Sequence, residues 1–177
     1  GNELANTLTG NGAANTLKGL AGHDSINGAA GIDRMEGGDG NDTYTADVFN
    51  DVVVETNTIK ATGGDDTVNF LGAVNTTFTL GANVERLTLL ANTVVTHGTG
   101  NALANTITGN SMANKLDGLG LNDTMSGGDG SDIYYADVFN DVIIETNTVK
   151  ATGGDDTVNY AGAVNTTFTL SNNVERL

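Results

Sequence analysis

The chain repeats itself every nine residues, and this period restricts the fold more than any other feature of its 177 residues. Residues 1–45 divide into five units, GNELANTLT, GNGAANTLK, GLAGHDSIN, GAAGIDRME and GGDGNDTYT. Every unit begins with glycine, has Asn or Asp at its sixth position and has a large apolar residue at its eighth. Residues 100–135 supply four more units of this kind. Such a chain is a repeat protein, in which each unit packs against its neighbours.

A longer duplication shows that the nonapeptide is a structural unit. Residues 1–18 recur at 100–117 with an offset of 99, whereas residues 46–87 recur at 136–177 with an offset of 90. The second pair of segments is identical at 35 of 42 positions, so one unit has been lost while both flanks were retained.

The apolar pattern predicts short strands rather than helices. One apolar residue in each unit is too sparse for an amphipathic helix. It fits a strand at positions seven to nine, whose middle side chain points inward, after a turn rich in Gly and Asx. Two units then form one coil, and successive coils pair in parallel about 4.8 Å apart. We therefore predict an all-β fold, a parallel β-roll or β-helix solenoid with two nonapeptides per turn, interrupted by irregular β spacer segments.

The phase of the repeat divides the chain into four predicted segments. These are a nonapeptide β-roll block at 1–54, a spacer at 55–99, a second block at 100–144 and a second, truncated spacer at 145–177. The first spacer contains strand-like pieces and the turn signal Gly63-Gly64-Asp65-Asp66. It is either further solenoid with irregular rungs or a separate β spacer. Because the last unit stops early, we expect a fragment of a longer array.

Composition excludes several classes of function. The 22 acidic and 7 basic residues give a net charge of −15, which does not suit binding to nucleic acid or to an anionic membrane. There is no cysteine for a disulfide or a thiolate metal site, and no apolar run long enough for membrane insertion. The hydrophobic fraction of 38% is below the usual value of about 45–50%. The core is therefore thin and needs another source of stability.

Stacking concentrates the acidic charge. A coil of two units places Asp24 over Asp42 on one edge, and Asp33 over Asp51 on the other. Two carboxylates about 5 Å apart repel by roughly 3 kcal/mol at an effective dielectric constant near 20, and one buried aliphatic side chain contributes only roughly 1.5–3 kcal/mol. A hard divalent cation between the turns would reverse this repulsion, because calcium prefers six or more oxygen ligands.

The units GLAGHDSIN, GAAGIDRME, GGDGNDTYT and GGDGSDIYY resemble the G-G-x-G-x-D-x-U-x nonapeptide of RTX (repeats-in-toxin, hemolysin-type) calcium-binding proteins. The resemblance implies a calcium-binding β-roll whose ions lie between loops two units apart, held by Asp side chains and by carbonyls of the glycine-rich turns. It also implies an extracellular or cell-surface location and export by type I secretion.

Carried onto this sequence, the resemblance pairs loop 19–24 with loop 37–42, and loop 28–33 with loop 46–51. Phe49 and Leu121 replace the fourth-position glycine of their loops, so we expect weaker binding there. The predicted ligands of several Ca²⁺ ions are the side chains of Asp24, Asp33, Asp42, Asp47, Asp51, Asp123, Asp132 and Asp141, and main-chain groups of Gly19, Ala21, Gly28, Ala30, Gly38, Gly40, Gly128 and Gly130.

Other acidic residues allow two interpretations each. Glu55 and Glu145 either cap a terminal site or are exposed charges. Asp65 and Asp66, with their copies Asp155 and Asp156, either bind a further ion or only form a turn. We expect the two histidines, His23 and His97, to be loop residues, and Tyr44 and Tyr134 to pack in the core.

No G-x-S-x-G, H-E-x-x-H, P-loop or EF-hand pattern is present, so we expect no enzyme.

The leading hypothesis is a calcium-dependent folding structural module of a large secreted or cell-surface bacterial protein, such as an adhesin stalk or spacer. Its partners would be calcium ions and neighbouring repeats, with any surface or polysaccharide ligand unknown. The first alternative is an accessory module of a secreted polysaccharide-modifying enzyme or protease. The second is binding of ice or polysaccharide by an Asn-Thr face formed by Asn6-Thr7, Asn15-Thr16 and Asn105-Thr106.

Overall fold

The computed structural model describes residues 1–57, 63–90, 94, 96–138, 140–145, 154–162 and 173–177. These residues form sixteen short strands, joined by turns: β1 Thr7–Thr9, β2 Thr16–Ala21, β3 Ser25–Asn27, β4 Arg34–Asp39, β5 Thr43–Ala46, β6 Val52–Val54, β7 Thr67–Phe70, β8 Thr76–Thr79, β9 Arg86–Leu89, β10 Thr96–Asn101, β11 Thr106–Thr108, β12 Lys115–Leu119, β13 Thr124–Ser126, β14 Ile133–Ala136, β15 Val142–Ile143 and β16 Thr157–Tyr160. Among the described residues, no helix is long and apolar enough to cross a bilayer.

The strands stack in parallel and alternate between two faces of a solenoid. One face is an eight-stranded sheet of order β1-β3-β5-β7-β9-β11-β13-β15. The other face consists of the sheets β2-β4-β6 and β16-β14-β12-β10-β8. Thr7 pairs with Ser25 and Thr16 with Arg34, so one turn takes two nonapeptide units in the blocks. The predicted all-β parallel solenoid is confirmed.

The segment between the two blocks forms longer rungs of the same solenoid. Thr43 pairs with Thr67, Thr67 with Arg86 and Arg86 with Thr106, and each of these steps is longer than two nonapeptide units. Because the strands stay paired across these longer steps, the sheet continues through them. The division of the chain into four segments at the predicted boundaries stays a prediction.

The loss of one unit moves the end of the second block to the opposite face. Tyr44 lies in β5 of the eight-stranded sheet, whereas its copy Tyr134 lies in β14 of the five-stranded sheet. One unit is half a turn, so its deletion exchanges the two faces. The long rung that follows the block is nevertheless the same in both copies. The N–H of Asp132 donates to Oδ1 of Asp156, just as that of Asp42 donates to Oδ1 of Asp66.

The core is a single column of side chains between the two faces. The eighth-position residues of the blocks point into it, and Tyr44 and Tyr134 are fully buried there, as predicted. Seven buried hydrophobic residues lie between positions 67 and 89, against three in 1–45. They are Val68, Phe70, Phe78, Leu80, Val84, Leu87 and Leu89, against Ile26, Met35 and Tyr44. Apolar packing is therefore concentrated in the long rungs and is sparse in the nonapeptide blocks.

Candidate metal centre

The sixth-position aspartates form hydrogen-bonded ladders along both edges of the solenoid. On one edge the backbone N–H of Asn6 donates to Asp24 Oδ1 at 2.7 Å, and that of Asp24 donates to Asp42 Oδ1 at 2.7 Å. On the other edge the N–H of Asp33 donates to Asp51 Oδ1 at 2.9 Å. Each bond joins residues two units apart, so the predicted stacking of these aspartates is present. One carboxylate oxygen of each rung is therefore used to hold the previous rung.

The second oxygen of most of these carboxylates is buried and has no hydrogen-bond partner. This holds for Oδ2 of Asp24, Asp33, Asp42, Asp123 and Asp132, residues that are at most 2% exposed. A buried charge without a partner is strongly unfavourable, so such a group takes up a proton or a cation. The loops thus present unsatisfied oxygen ligands at regular intervals.

The first-position glycines make room for these oxygens. A Cβ atom built on Gly19 would overlap Oδ2 of Asp24, and one built on Gly118 would overlap Oδ2 of Asp123. Neither glycine has a positive φ. The reason for glycine at this position is therefore the space that the carboxylate occupies, and not the turn conformation alone.

The second and fourth positions of the loops do need a left-handed backbone. Gly38 and Gly40 have φ values of 104° and 124°, and the carbonyl oxygens of Leu20 and Gly22 in the preceding loop point at them. In the second block Leu119 and Leu121 adopt the same region, with φ values of 66° and 74°. A non-glycine residue there costs roughly 1–2 kcal/mol. Loop 118–123 therefore keeps the repeat conformation under strain.

Asp51 and its copy Asp141 differ from the aspartates with an orphan oxygen because both of their oxygens are in use. Oδ2 of Asp51 accepts the N–H groups of Asp47 and Val48 at 3.1 and 3.3 Å, which closes the loop that carries Phe49. Oδ1 of Asp47 is instead the buried oxygen without a partner in this loop. Burial, and then the charge of Asp33, raise the pKa of Asp47. The same loop closure recurs in the second block, from Asp137 and Val138 to Asp141.

The buried aspartates hold protons more tightly than usual. Burial raises the pKa of Asp42 to about 6 and that of Asp123 and Asp132 to about 7, with neighbouring carboxylates adding to the shift. Hydrogen bonds from the ladder N–H groups oppose the shift only in part. The loops are therefore electrostatically unfavourable at neutral pH until positive charge compensates them.

Two clusters collect three buried carboxylates each. In the first, oxygens of Asp42, Glu55 and Asp66 lie within 4.8 Å of one another. The Tyr44 hydroxyl donates a hydrogen bond to Glu55. The second cluster, on the opposite edge, has the same composition: Asp132, Glu145 and Asp156, with Tyr134 donating to Glu145.

Burial decides one of the open alternatives for these residues. Glu55 and Glu145 are only 5% and 7% exposed, so the interpretation as exposed charges is wrong. A sequence signal for Asp66 was present in Gly63-Gly64-Asp65-Asp66. Gly64 has a φ of 93° and faces the Gly40 carbonyl, so Gly64, Asp66 and Val68 occupy the fourth, sixth and eighth positions of a degenerate unit. Asp137, which the sequence analysis did not name, is the copy of Asp47 but is exposed.

The remaining polar loop residues satisfy the backbone. His23 Nδ1 accepts the N–H of Asn41 at 2.8 Å, and His23 is a loop residue as expected. The expectation is wrong for His97, which lies in strand β10, pairs with Thr77 and accepts the N–H of Lys115 through Nδ1 at 3.0 Å. Asn6 Oδ1 accepts the N–H of Asn2 at 2.6 Å. The side-chain amides of Asn6, Asn15 and Asn105 each accept a backbone N–H of their own loop. This arrangement does not favour an outward Asn-Thr binding face.

A comparison with protein-family models agrees with these loops. The chain matches the RTX calcium-binding nonapeptide repeat in four copies, over residues 1–35, 22–53 and 108–143, which together cover about half of its length. No curated protein and no solved structure matched the chain significantly. RTX repeats are structural modules that bind calcium, and the acidic clusters found here are suited to a metal ion. The chain therefore belongs to the RTX calcium-binding nonapeptide repeat family, whose repeats here form a parallel β-solenoid.

Proposed function

We propose that this chain is a calcium-dependent folding module that serves as a stiff spacer, of the adhesin-stalk type, in a larger secreted or cell-surface protein. The observation that carries the proposal is the row of buried Oδ2 atoms without a partner, which recurs in loop after loop. Stacking the rungs brings these oxygens together whether or not a cation is available. At neutral pH protons compensate these carboxylates only in part, whereas a cation makes their burial favourable.

The ligand sets follow from the orphan oxygens. In the first block Asp24 would bind between loops 19–24 and 37–42, and Asp33 would bind together with Asp47. In the second block one orphan oxygen is that of Asp123, and the exposed carboxylate of Asp137, whose charge acts on Asp123, would bind beside it. Calcium takes six to eight oxygens, so carbonyls of the stacked loops would complete each set. The predicted carbonyl ligands at Gly19, Ala21, Gly28, Ala30, Gly38, Gly40, Gly128 and Gly130 remain part of this proposal.

Calcium would couple folding to location. When a site exists only in the folded chain, the free energy of binding adds to the free energy of folding. A compartment poor in calcium would leave the acidic chain extended and suitable for export. A calcium-rich exterior would fold it into a rod, since the stacked rungs extend along one axis.

Circular dichroism with and without calcium tests the proposal. We expect a reduced β signal, a low melting temperature and a larger hydrodynamic radius in chelator, and a full β spectrum with a compact, elongated particle in millimolar calcium. Magnesium at the same concentration is the control, because it demands a smaller octahedral site and dehydrates reluctantly. A chelated chain that keeps its full β signal and thermal stability would show that the cation is not needed.

The accessory module of a secreted enzyme is the second candidate. It would use the same calcium chemistry, so the loops do not discriminate between the two. The near-identical duplication, with 35 of 42 positions the same in both copies, favours a long array of spacers. The neighbouring sequence of the parent protein would decide: further copies of this duplicated segment support the spacer, and an adjoining catalytic domain supports the accessory module.

A further inference from the structure

We propose that each repeat block ends in a distinct three-carboxylate calcium site, Asp42–Glu55–Asp66 in the first block and Asp132–Glu145–Asp156 in the second, which fills before the two-carboxylate loops do. This inference rests on the proposed function, that the stacked loops take calcium.

The spacing of the oxygens suits one shared ion. The three carboxylates of each cluster offer oxygens within 4.8 Å of one another. Calcium binds oxygen at about 2.3–2.6 Å, so ligands on opposite sides of an ion are about 4.6–5.2 Å apart. Asp42 and Asp66 are each 1% exposed and Glu55 is 5% exposed, so water does not compensate their charge.

An unpartnered oxygen points into each cluster. Asp42 uses Oδ1 to accept the N–H of Asp24, and its Oδ2 is buried without a partner. A Cβ built on Gly37 would overlap both that Oδ2 and the Tyr44 hydroxyl, and the hydroxyl donates to Glu55. Oδ2 of Asp42 therefore faces the glutamate. Oδ2 of Asp132 is in the same situation beside Tyr134 and Glu145.

The glutamate is what separates this site from the ordinary loops. The first position of the unit is glycine at Gly19 and Gly37, and two units later the same position is Glu55. Its Oε2 accepts the N–H of Gly38 at 3.3 Å, and its second oxygen accepts the Tyr44 hydroxyl, so the carboxylate is held over the Asp42 loop. An ordinary loop has no side chain at that point, so it lacks the third negative charge.

No basic side chain competes for the cluster among the described residues. The salt bridges among these residues do not involve the cluster carboxylates. They join Lys18 and Arg34 to Glu36, and Arg86 to Asp65. Asp42 belongs to the block and Asp66 to the following long rung, and the N–H of Asp42 donates to Oδ1 of Asp66 at 2.7 Å. An ion shared by the three residues would therefore fasten the end of the block to the long rung.

Terbium luminescence provides a test, because Tb³⁺ replaces calcium and is excited through nearby tyrosine. The chain has no tryptophan, and Tyr44 and Tyr134 contact the glutamates of the two clusters. We expect the first two equivalents of Tb³⁺ to give tyrosine-sensitised emission that calcium displaces. The double variant Glu55→Gln, Glu145→Gln should bind these two equivalents roughly tenfold more weakly, so that they no longer fill early, since one full charge is removed from each site. Glu3→Gln, at an exposed position, is the matched control and should bind like the wild type.

Three outcomes separate this inference from the proposed function. If the double variant keeps both early equivalents at unchanged affinity, the three-carboxylate site is wrong, even when calcium still induces the β spectrum. If calcium changes nothing in the wild-type spectrum, the proposed function itself fails. Should the double variant not reach the β spectrum in saturating calcium, the single variants decide, because each must lose one early equivalent. Emission that is undiminished in the Tyr44→Phe, Tyr134→Phe variant would place the first ions away from these two tyrosines and overturn the inference.

Discussion

The backbone N–H of Asp24 donates to Oδ1 of Asp42, one full turn later, at 2.7 Å, and Oδ2 of Asp42 stays buried without a partner. One carboxylate thus has two tasks: it fastens the preceding rung, and it presents a charge that needs compensation. The hydrogen bond forms in either ionisation state of a carboxyl group, whereas the second oxygen is satisfied only by a proton or a cation. This division of tasks leads to the following predictions.

Stability of the calcium-free protein should fall as the pH rises from about 4 to 8. Burial raises the pKa of Asp42 to about 6, that of Glu55 to about 7, and that of Asp66 and Glu145 to about 8. Because the folded state then binds more protons than the unfolded chain, raising the pH favours unfolding. We expect the melting temperature of metal-free protein to be about 5 °C or more higher at pH 5 than at pH 8. In saturating calcium the trend should vanish or reverse, and a pH-independent melting temperature without metal would contradict the assignment.

Asp24→Asn should weaken calcium stabilisation without harming the metal-free fold. Asparagine keeps an Oδ1 acceptor for the N–H of Asn6 and removes the uncompensated charge. We expect the free energy of unfolding in calcium to drop by about 1–3 kcal/mol, with no loss in chelator. Asp39→Asn is the matched control, because Asp39 is exposed and its acceptor for Asn57 is retained. Equal effects of the two substitutions, measured by denaturant unfolding, would argue against Asp24 as a ligand.

Gly19→Ala should destabilise the first block through a direct clash. The added Cβ would overlap Oδ2 of Asp24, although the backbone conformation of Gly19 accepts alanine. Overpacking of this kind costs about 1–3 kcal/mol. Gly12→Ala is the control, since a Cβ there has no atom within 4 Å, and it should be neutral or slightly stabilising. Thermal unfolding in calcium measures both, and a neutral Gly19→Ala would contradict the packing explanation.

Leu121→Gly should stabilise the second block. Leu121 holds a φ of 74° while its side chain is largely exposed, so little packing is lost on its removal. Relief of the left-handed strain exceeds the extra entropy of glycine in the unfolded chain, and we expect a gain of about 0.5–1 kcal/mol. A loss of stability in chemical denaturation would show that the exposed leucine contributes packing that outweighs the strain.

Partial unfolding at limiting calcium should spare the long rungs. Seven buried hydrophobic residues between 67 and 89 hold these rungs together, against three in 1–45. Their stability therefore depends less on the carboxylates than that of the blocks does. Hydrogen–deuterium exchange read by mass spectrometry should show peptides from 67–89 exchanging after those from 19–42. The opposite order would mean that the carboxylate ladder persists without calcium.

The nine-residue period was sufficient to predict the solenoid, the parallel pairing and the stacking of Asp24 on Asp42. These properties follow from short-range rules, because each unit has the same length and meets only its neighbours. Wherever a turn consists of two such units, position in the unit translates directly into position in space. The burial of Tyr44 and Tyr134 follows from the same rule.

The period fails where the rung length changes. Additional residues separate the Asp42 rung from the Asp66 rung, and no count along the chain indicates whether they loop out or shift the register. The hydrogen bond from the Asp42 N–H to Asp66 Oδ1 shows that the register is kept across them. The half-turn between Tyr44 and Tyr134 likewise becomes visible only when the strands are assigned to sheets.

By itself, then, the sequence determined the repeat, the two acidic edges and the kind of ion that they suit. Only the tertiary structure decided which oxygens are free. Asp51 gives both oxygens to backbone N–H groups, while Glu55 reaches over the Asp42 loop to join a cluster with Asp66. The physical reason is that a period specifies where each residue stands along the coil. The partners of a carboxylate oxygen depend instead on side-chain reach and on the local course of the loop, which differ between units of equal length.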